Sequence, residues 1–183
     1  MRVPPQNIDR LIGLYNVKRL LQVKSLMSST ATSIFDIVEK DYTGKDIRLG
    51  DAFRGHVTYG INVASEWGKT KAGYALLSTL SKVDGVKVAI FPCNQFGSQE
   101  PGTDEEIYQF ALSKGVNPSN AVVFAKADVN GPATRETYKA VKAATGMGEI
   151  AWNFGGQFII DREGQVKLCA NMTKAEAMVK ELL

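Results

Sequence analysis

The sequence has few of the residues that build metal centres or covalent cross-links. It contains two cysteines and one histidine in 183 residues. Cys93 and Cys169 are too few and too far apart to indicate a disulfide framework, and a single histidine provides no second ligand for a zinc site. We therefore expect a protein without a metal or other cofactor, in a reducing compartment.

Long apolar segments and a large charge excess are also missing. Charged residues interrupt every apolar stretch before it reaches the roughly twenty residues that a membrane-spanning helix needs. The net charge of +3 is too small to indicate a nucleic-acid partner. Both absences favour a soluble protein that does not bind nucleic acid.

Most of the basic excess lies in the first 26 residues, where apolar and basic residues alternate with the period of an amphipathic helix. The basic residues are Arg2, Arg10, Lys18, Arg19 and Lys24, against the single acid Asp9. Two interpretations stay open: a mitochondrial transit segment, or an extension without a role that precedes a start at Met27. We predict an extension over residues 1–30, a domain over residues 31–183, and a cytoplasmic location with a mitochondrial alternative.

The stretch from Val57 to Tyr74 organises the rest of the chain. Val57–Val63 has the composition of a buried strand, and the apolar spacing over residues 73–83 predicts a helix. A strand-to-helix junction directs backbone N–H groups and the positive end of the helix dipole at one point, where an anion or a thiolate is stabilised. Trp67 lies at that point.

Strands and helices alternate around this junction. The pattern predicts an N-terminal hairpin of residues 33–39 and 46–49, a strand over Val86–Pro92 and a helix over Asp104–Ser113, with Thr103 and Glu106 as its capping box. A strand over 122–129, a helix over 132–145, a hairpin of 158–161 and 166–169 and a helix over 174–183 follow. This order predicts an α/β fold with a central mixed sheet flanked by helices and an N-terminal β-hairpin.

Four motifs, in this order and spacing, resemble the glutathione peroxidase family and are most similar to its monomeric phospholipid-hydroperoxide branch. They are Asn-Val-Ala-Ser at 62–65, the loop at 91–102, Asp-Val-Asn-Gly at 128–131 and Trp-Asn-Phe at 152–154. The resemblance covers residues 31–183. It implies a thioredoxin-like fold and the reduction of hydroperoxides by a selenocysteine or cysteine at the strand-to-helix junction.

The resemblance also implies the site residues. The reactive position falls on Trp67, and its partners are Gln99, Trp152 and Asn153. An indole N–H and two amides are hydrogen-bond donors, and donors that converge on one atom lower the pKa of a thiol or selenol there. Taken singly, Gln99 as a loop cap, Trp152 as core packing and Asn153 as a turn residue are the simpler interpretations.

Trp67 departs from the family, because an indole has no ionisable chalcogen and cannot pass through the oxidation cycle. Three interpretations stay open. The codon is UGA, which specifies selenocysteine but which some genetic codes assign to Trp; the chain is an inactive homologue with a binding or structural role; or the residue is a deliberate replacement. Cys93 is better explained as a small buried residue than as a substitute nucleophile.

The resemblance implies the partners as well. Members that use thioredoxin-type reductants carry a resolving cysteine where this chain has Leu112, which indicates an external small thiol such as glutathione as the co-substrate of a hydroperoxide. The short segment at 142–150 is similar to that of monomeric members. Lys69 and Lys71 offer a basic rim for glutathione carboxylates or for transient contact with a membrane surface, although two lysines near a helix start are more often just solvated.

Overall fold

The computed structural model describes residues 33–183. The predicted extension, its two interpretations and the predicted domain start at residue 31 lie outside the described residues. The described chain begins with a 3₁₀ turn at Ile34–Asp36 and an antiparallel hairpin of strands β1 (Val38–Lys40) and β2 (Asp46–Arg48), which leads into the short helix α1 (Leu49–Phe53).

A five-stranded mixed sheet forms the centre. Its strands are β3 (Val57–Val63), β4 (Val86–Pro92), β5 (Ala121–Val123), β6 (Phe158–Ile160) and β7 (Val166–Leu168), in the order β5-β4-β3-β6-β7. The pairs β3–β4 and β4–β5 are parallel, whereas β3–β6 and β6–β7 are antiparallel. This arrangement confirms the predicted mixed sheet, the separate N-terminal hairpin and the thioredoxin-like fold.

Helices cover both faces of the sheet, which explains why β3 is buried along its whole length. Tyr59 and Ile61 point to the face covered by α2 (Thr70–Leu80), α3 (Asp104–Ser113) and α5 (Met172–Leu182). Phe91 and Phe158 point to the opposite face, which is covered by α1 and α4 (Glu136–Thr145). The carboxyl ends of β3 and β4 meet at one edge of the sheet, and the loops that follow them are therefore neighbours.

Two predicted strands were wrong over most of their length. Residues 33–39 contain the 3₁₀ turn, because the adjacent side chains of Ile34 and Phe35 are both buried and a strand would turn one of them outward. Residues 122–129 form a strand only to Val123. Beyond it the Ala125 amide donates to the carbonyl of Lys40 in β1 and the Ala127 amide to that of Pro92 in β4, so the regular pairing with β4 is interrupted.

Helix boundaries moved by one to four residues. Helix α2 starts and ends three residues before the predicted 73–83, and α4 starts at Glu136 because residues 131–134 form a turn closed by a Thr134-to-Gly131 hydrogen bond. Helix α5 starts at Met172, two residues before the prediction, after an Asn171 N-cap. Helix α3 matches its prediction, and Thr103 and Glu106 form the expected capping box.

None of the helices within residues 33–183 is long and apolar enough to cross a membrane. In the same part of the chain, the acidic, cysteine and histidine side chains do not form a group of three or more that could hold a metal ion.

Candidate active site

The loop between β3 and α2 places residue 67 at the edge of the sheet, and Thr70 fixes the shape of this loop. The Thr70 hydroxyl accepts a hydrogen bond from the Trp67 backbone N–H (3.0 Å) and donates one to the Ala64 carbonyl (2.7 Å). Helix α2 therefore begins three residues after Trp67. The backbone N–H of Trp67 is already used within the loop and is not directed at a ligand.

The indole of Trp67 is half-buried and stacks on Phe154, with 5.6 Å between ring centroids and 15° between ring planes. Phe154 has a φ of 60°, which is unusual for a bulky residue. Its ring lies against α2 at Gly73, where an added Cβ would come within 2.1 Å of Phe154 Cε1. Gly73 thus makes room for the aromatic platform beneath residue 67.

Gln99 and Asn153 meet through their side chains. Asn153 Nδ2 donates to Gln99 Oε1 at 2.8 Å, and Asn153 is almost completely buried. Gln99 follows Gly97 and Ser98, which both have positive φ values and turn the loop after β4 back towards the sheet. Since the Gln99 amide oxygen accepts from Asn153, the Gln99 NH₂ group is the end left to donate to a ligand.

Trp152 is 59% exposed and lines an open groove of about 290 Å³. Trp67, Lys69 and Phe154 line the same groove, so the two tryptophans share one solvent-accessible surface. The structure thus brings Gln99 and Asn153 together as a bonded pair and brings Trp67 and Trp152 together in a groove. The recorded hydrogen bonds of Trp67 run to Thr70 and not to the Gln99–Asn153 pair.

The sequence profile of the glutathione peroxidase family matches residues 34–142. This chain belongs to the glutathione peroxidase family. It is 42% identical over 140 residues to the chloroplastic phospholipid hydroperoxide glutathione peroxidase 1 of Arabidopsis thaliana, covering 73% of this chain and 58% of the relative. It is 39% identical to a Citrus sinensis protein named as a probable phospholipid hydroperoxide glutathione peroxidase, covering 77% and 86%.

The chain spans about three fifths of the length of the first curated relatives that it matches. Among solved structures, T. cruzi GPX1 is similar with a TM-score of 0.61 and 30% identity, covering 82% of this chain and 96% of that one. The fold of this glutathione peroxidase homologue is therefore shared with a solved member of its family.

Asn62 holds the Trp152–Asn153–Phe154 segment of this glutathione peroxidase homologue in place, a role that the sequence reasoning missed. Its Nδ2 donates to the Trp152 carbonyl (3.2 Å), and its Oδ1 accepts from the Gly156 N–H (2.7 Å). The Asn62 carbonyl also accepts from the Phe154 N–H. A carboxamide near the carboxyl end of a fully buried strand was the signal that pointed to it.

Both cysteines of this homologue lie inside the fold. Cys93 is fully buried, and burial raises the pKa of its thiol; Cys169 is also buried, with a pKa raised for the same reason. A raised pKa keeps a thiol protonated and unreactive. Neither cysteine is therefore placed to act as a nucleophile.

Proposed function

We propose that this protein scaffold reduces hydroperoxides with a small thiol, with glutathione as the reductant, provided that position 67 is natively a cysteine or selenocysteine; the alternative is an inactive homologue with a binding or structural role. The Asn153–Gln99 hydrogen bond of 2.8 Å carries the proposal, because it presents the Gln99 amide beside the strand-to-helix loop. Family membership and the names of the curated relatives support hydroperoxides as the substrate class.

The chemistry requires a chalcogen anion. A thiolate or selenolate attacks one oxygen of the hydroperoxide, the O–O bond breaks, and the leaving alkoxide takes a proton to become an alcohol. The resulting sulfenic or selenenic acid condenses with one thiol and releases water, and a second thiol then restores the nucleophile and leaves as a disulfide. Donors from Gln99 and Trp152 would stabilise the anionic nucleophile, and Asn153 would orient the Gln99 amide through its hydrogen bond.

With Trp67 in place the polypeptide has no group that can begin this sequence. Of the three interpretations of Trp67, a UGA-encoded selenocysteine is supported by the presence of Gln99, Trp152 and Asn153 and by Leu112 in place of a resolving cysteine. An inactive binding homologue would not need the Gln99 amide oriented by Asn153. Sequencing codon 67 of the transcript, together with a search for a downstream selenocysteine insertion element, distinguishes the two.

The absence of a resolving cysteine at Leu112 supports a small external thiol as the reductant, since both cysteines are buried. The monomeric state, transient contact with a membrane surface through Lys69 and Lys71, and the cytoplasmic or mitochondrial location stay predictions. Size-exclusion chromatography with light scattering measures the first, and vesicle sedimentation measures the second.

A Trp67→Cys variant tests the function directly. We expect glutathione-dependent turnover of hydrogen peroxide and of a lipid hydroperoxide, measured in an assay coupled to glutathione reductase. Trp67→Ser is the matched control, because it removes the same bulk without adding a thiol, and we expect no turnover from it. A Trp67→Cys/Gln99→Ala variant should lose about 10²-fold in kcat, the usual cost of removing one preorganised donor.

Two outcomes would contradict the proposal. The first is a folded Trp67→Cys variant with no more peroxidase activity than Trp67→Ser. The second is thiol-dependent turnover by the chain with Trp67 itself, abolished by Trp67→Ala, since that would place the chemistry outside the chalcogen cycle.

A further inference from the structure

Glu100 is a buried carboxyl group next to the candidate site, and nothing in the proposed reaction uses it. It directly follows Gln99 and is completely buried. Its Oε1 accepts a hydrogen bond of 2.6 Å from the Ser65 hydroxyl. Its Oε2 is also buried and has no hydrogen-bond partner among the described residues. Such a half-satisfied buried group costs stability, so its presence calls for an explanation.

The Ser65–Glu100 hydrogen bond joins the two loops of the site. Ser65 lies two residues before position 67 in the loop after β3, and Glu100 lies one residue after Gln99 in the loop after β4. A second bond runs beside it, from the Glu66 N–H to the Gln99 carbonyl at 3.0 Å. The relative position of residue 67 and Gln99 therefore depends on these two links.

The main chain at Glu100 is fixed without help from its carboxyl group. The Glu100 N–H donates to Asn94 Oδ1 at 2.8 Å. The Lys126 ammonium donates to the backbone carbonyls of Glu100 (3.0 Å) and Gly102 (2.6 Å). Because the ammonium is spent on backbone oxygens, the carboxylate is left to bond with Ser65.

We propose that Glu100 is a positioning residue, whose carboxyl group acts through Ser65 to hold the loop of residue 67 against the loop of Gln99. Glu100 does not touch the reacting atom. An effect of Glu100 on catalysis rests on the proposed peroxidase function. The contact of Glu100 with Ser65, which holds the two loops together, is present in the chain with Trp67.

The strength of this hold depends on pH. Burial raises the pKa of the Glu100 carboxyl above its ordinary value. The hydroxyl and the backbone N–H of Ser65 and the charge of Lys126 after β5 act in the opposite direction, whereas Glu66 in the facing loop raises the pKa further. Tyr74 of α2 also faces this carboxyl group, and burial raises its own pKa so that it stays neutral. As pH rises through the Glu100 pKa, the Ser65 bond becomes charge-assisted and stronger; as pH falls, it weakens.

The fluorescence of Trp67 reports this change without any catalysis. Trp152→Phe leaves Trp67 as the only tryptophan, since the chain has two. We expect the Trp67 emission of this variant to show a one-proton transition above the ordinary glutamate range, at constant far-UV circular dichroism. Adding Glu100→Gln, which keeps the shape and an acceptor oxygen, should abolish the transition. Adding Ser65→Ala should weaken the transition and move it to higher pH, because the hydroxyl that favours the charged carboxylate is gone while the carboxyl group and the residue 65 backbone stay in place.

Two other carboxyl groups provide matched controls. Glu106 lines the same groove as Ser65 and Glu66, and Glu106→Gln should leave the transition unchanged. Glu66→Gln should keep the transition but move it to lower pH, because the Glu66 charge is one of the causes that raise the Glu100 pKa. A transition that survives Glu100→Gln, or that disappears in Glu66→Gln while surviving Glu100→Gln, overturns the proposal.

If the Glu100→Gln variant does not fold, the Ser65→Ala variant tests the positioning role of Glu100. An unchanged transition in Ser65→Ala overturns the proposed route through the Ser65 hydroxyl, and a weaker transition at higher pH supports that route. The peroxidase assay of Trp67→Cys is independent of these measurements. An inactive Trp67→Cys variant combined with a transition lost in Glu100→Gln would refute the proposed function and leave the positioning role standing.

Discussion

The two faces of the sheet each carry an aromatic cluster and a carboxylate that is largely (Glu39) or completely (Glu100) buried, but the two carboxylates have different partners. On the α4 face, Glu39 accepts from the Arg135 guanidinium (3.0 Å) and from the Thr137 hydroxyl (2.7 Å), and Arg135 lies over the Phe91 ring. On the α2 face, Glu100 accepts from Ser65, and its second oxygen is unpaired among the described residues.

This difference sets the direction of each pKa. Burial alone raises the pKa of Glu39, but the charge of Arg135 and the hydrogen bonds from Arg135 and Thr137 outweigh it and lower the pKa. At Glu100, burial dominates and the pKa is raised. The paired carboxylate of Glu39 therefore stabilises the fold. The half-paired carboxylate of Glu100 lies beside the candidate site and costs stability.

Removing the ion pair between Glu39 and Arg135 should have the largest effect on stability. Glu39→Ala leaves the Arg135 guanidinium, whose side chain is 3% exposed, without its counter-charge. We expect the free energy of unfolding to fall by about 3–5 kcal/mol, measured by urea denaturation.

The control for that variant is an ion pair on the surface. Glu136 and Lys139 lie 2.7 Å apart with both side chains at least half exposed, and Glu136→Ala should cost about 0–1 kcal/mol. Equal losses of unfolding free energy in Glu39→Ala and Glu136→Ala would contradict the stabilising role of the Glu39–Arg135 pair.

Adding a methyl group beside the candidate site should have a smaller effect on stability and should also change the fluorescence of Trp67. Gly73→Ala pushes a methyl group into the Phe154 ring, and we expect a loss of about 1–3 kcal/mol together with a shift in Trp67 emission. Gly68→Ala is the matched control, because an added Cβ there meets no atom within 4 Å. If both variants behave alike, the Gly73–Phe154 contact does not support the platform under residue 67.

The two carboxylates should also give opposite pH dependence of stability, which is the smallest effect. Glu39, with a lowered pKa, contributes stability that is present above its unfolded-state pKa and is lost as pH falls through the folded-state pKa. Glu100, with a raised pKa, contributes stability below its unfolded-state pKa that is lost as pH rises through the folded-state pKa.

Denaturation of the Glu39→Gln and Glu100→Gln variants across pH 4–8 measures this contrast. Relative to the unmodified chain, Glu100→Gln should gain stability as pH rises, whereas Glu39→Gln should lose it. The same sign of change in both variants would contradict the assignment of one carboxylate to the fold and the other to the site.

Elements with strong local signals were predicted with correct bounds. The continuous apolar runs of Val57–Val63 and Val86–Pro92 and the capping box of Asp104–Ser113 define their own ends. The segments at 33–39 and 122–129 were mispredicted, because their backbone partners come from distant parts of the chain and override the local preference for a strand.

Motifs that resemble the family were enough to identify the family and the four residues proposed for the site, including the fact that Trp67 has no chalcogen. Local composition and spacing predicted most of the strands and helices, but not the 3₁₀ turn at Ile34–Asp36 or the helix Leu49–Phe53. None of this requires knowledge of which loops meet.

Tertiary structure alone decided what surrounds those residues. The Phe154 ring against Gly73, the Asn62 bonds to the Trp152 segment and the burial of Glu100 against Ser65 each join residues from separate segments of the chain. Burial and pairing set the pKa of a carboxyl group, and both arise only when separate segments pack together. The site thus takes its residues from the sequence and its electrostatics from the fold.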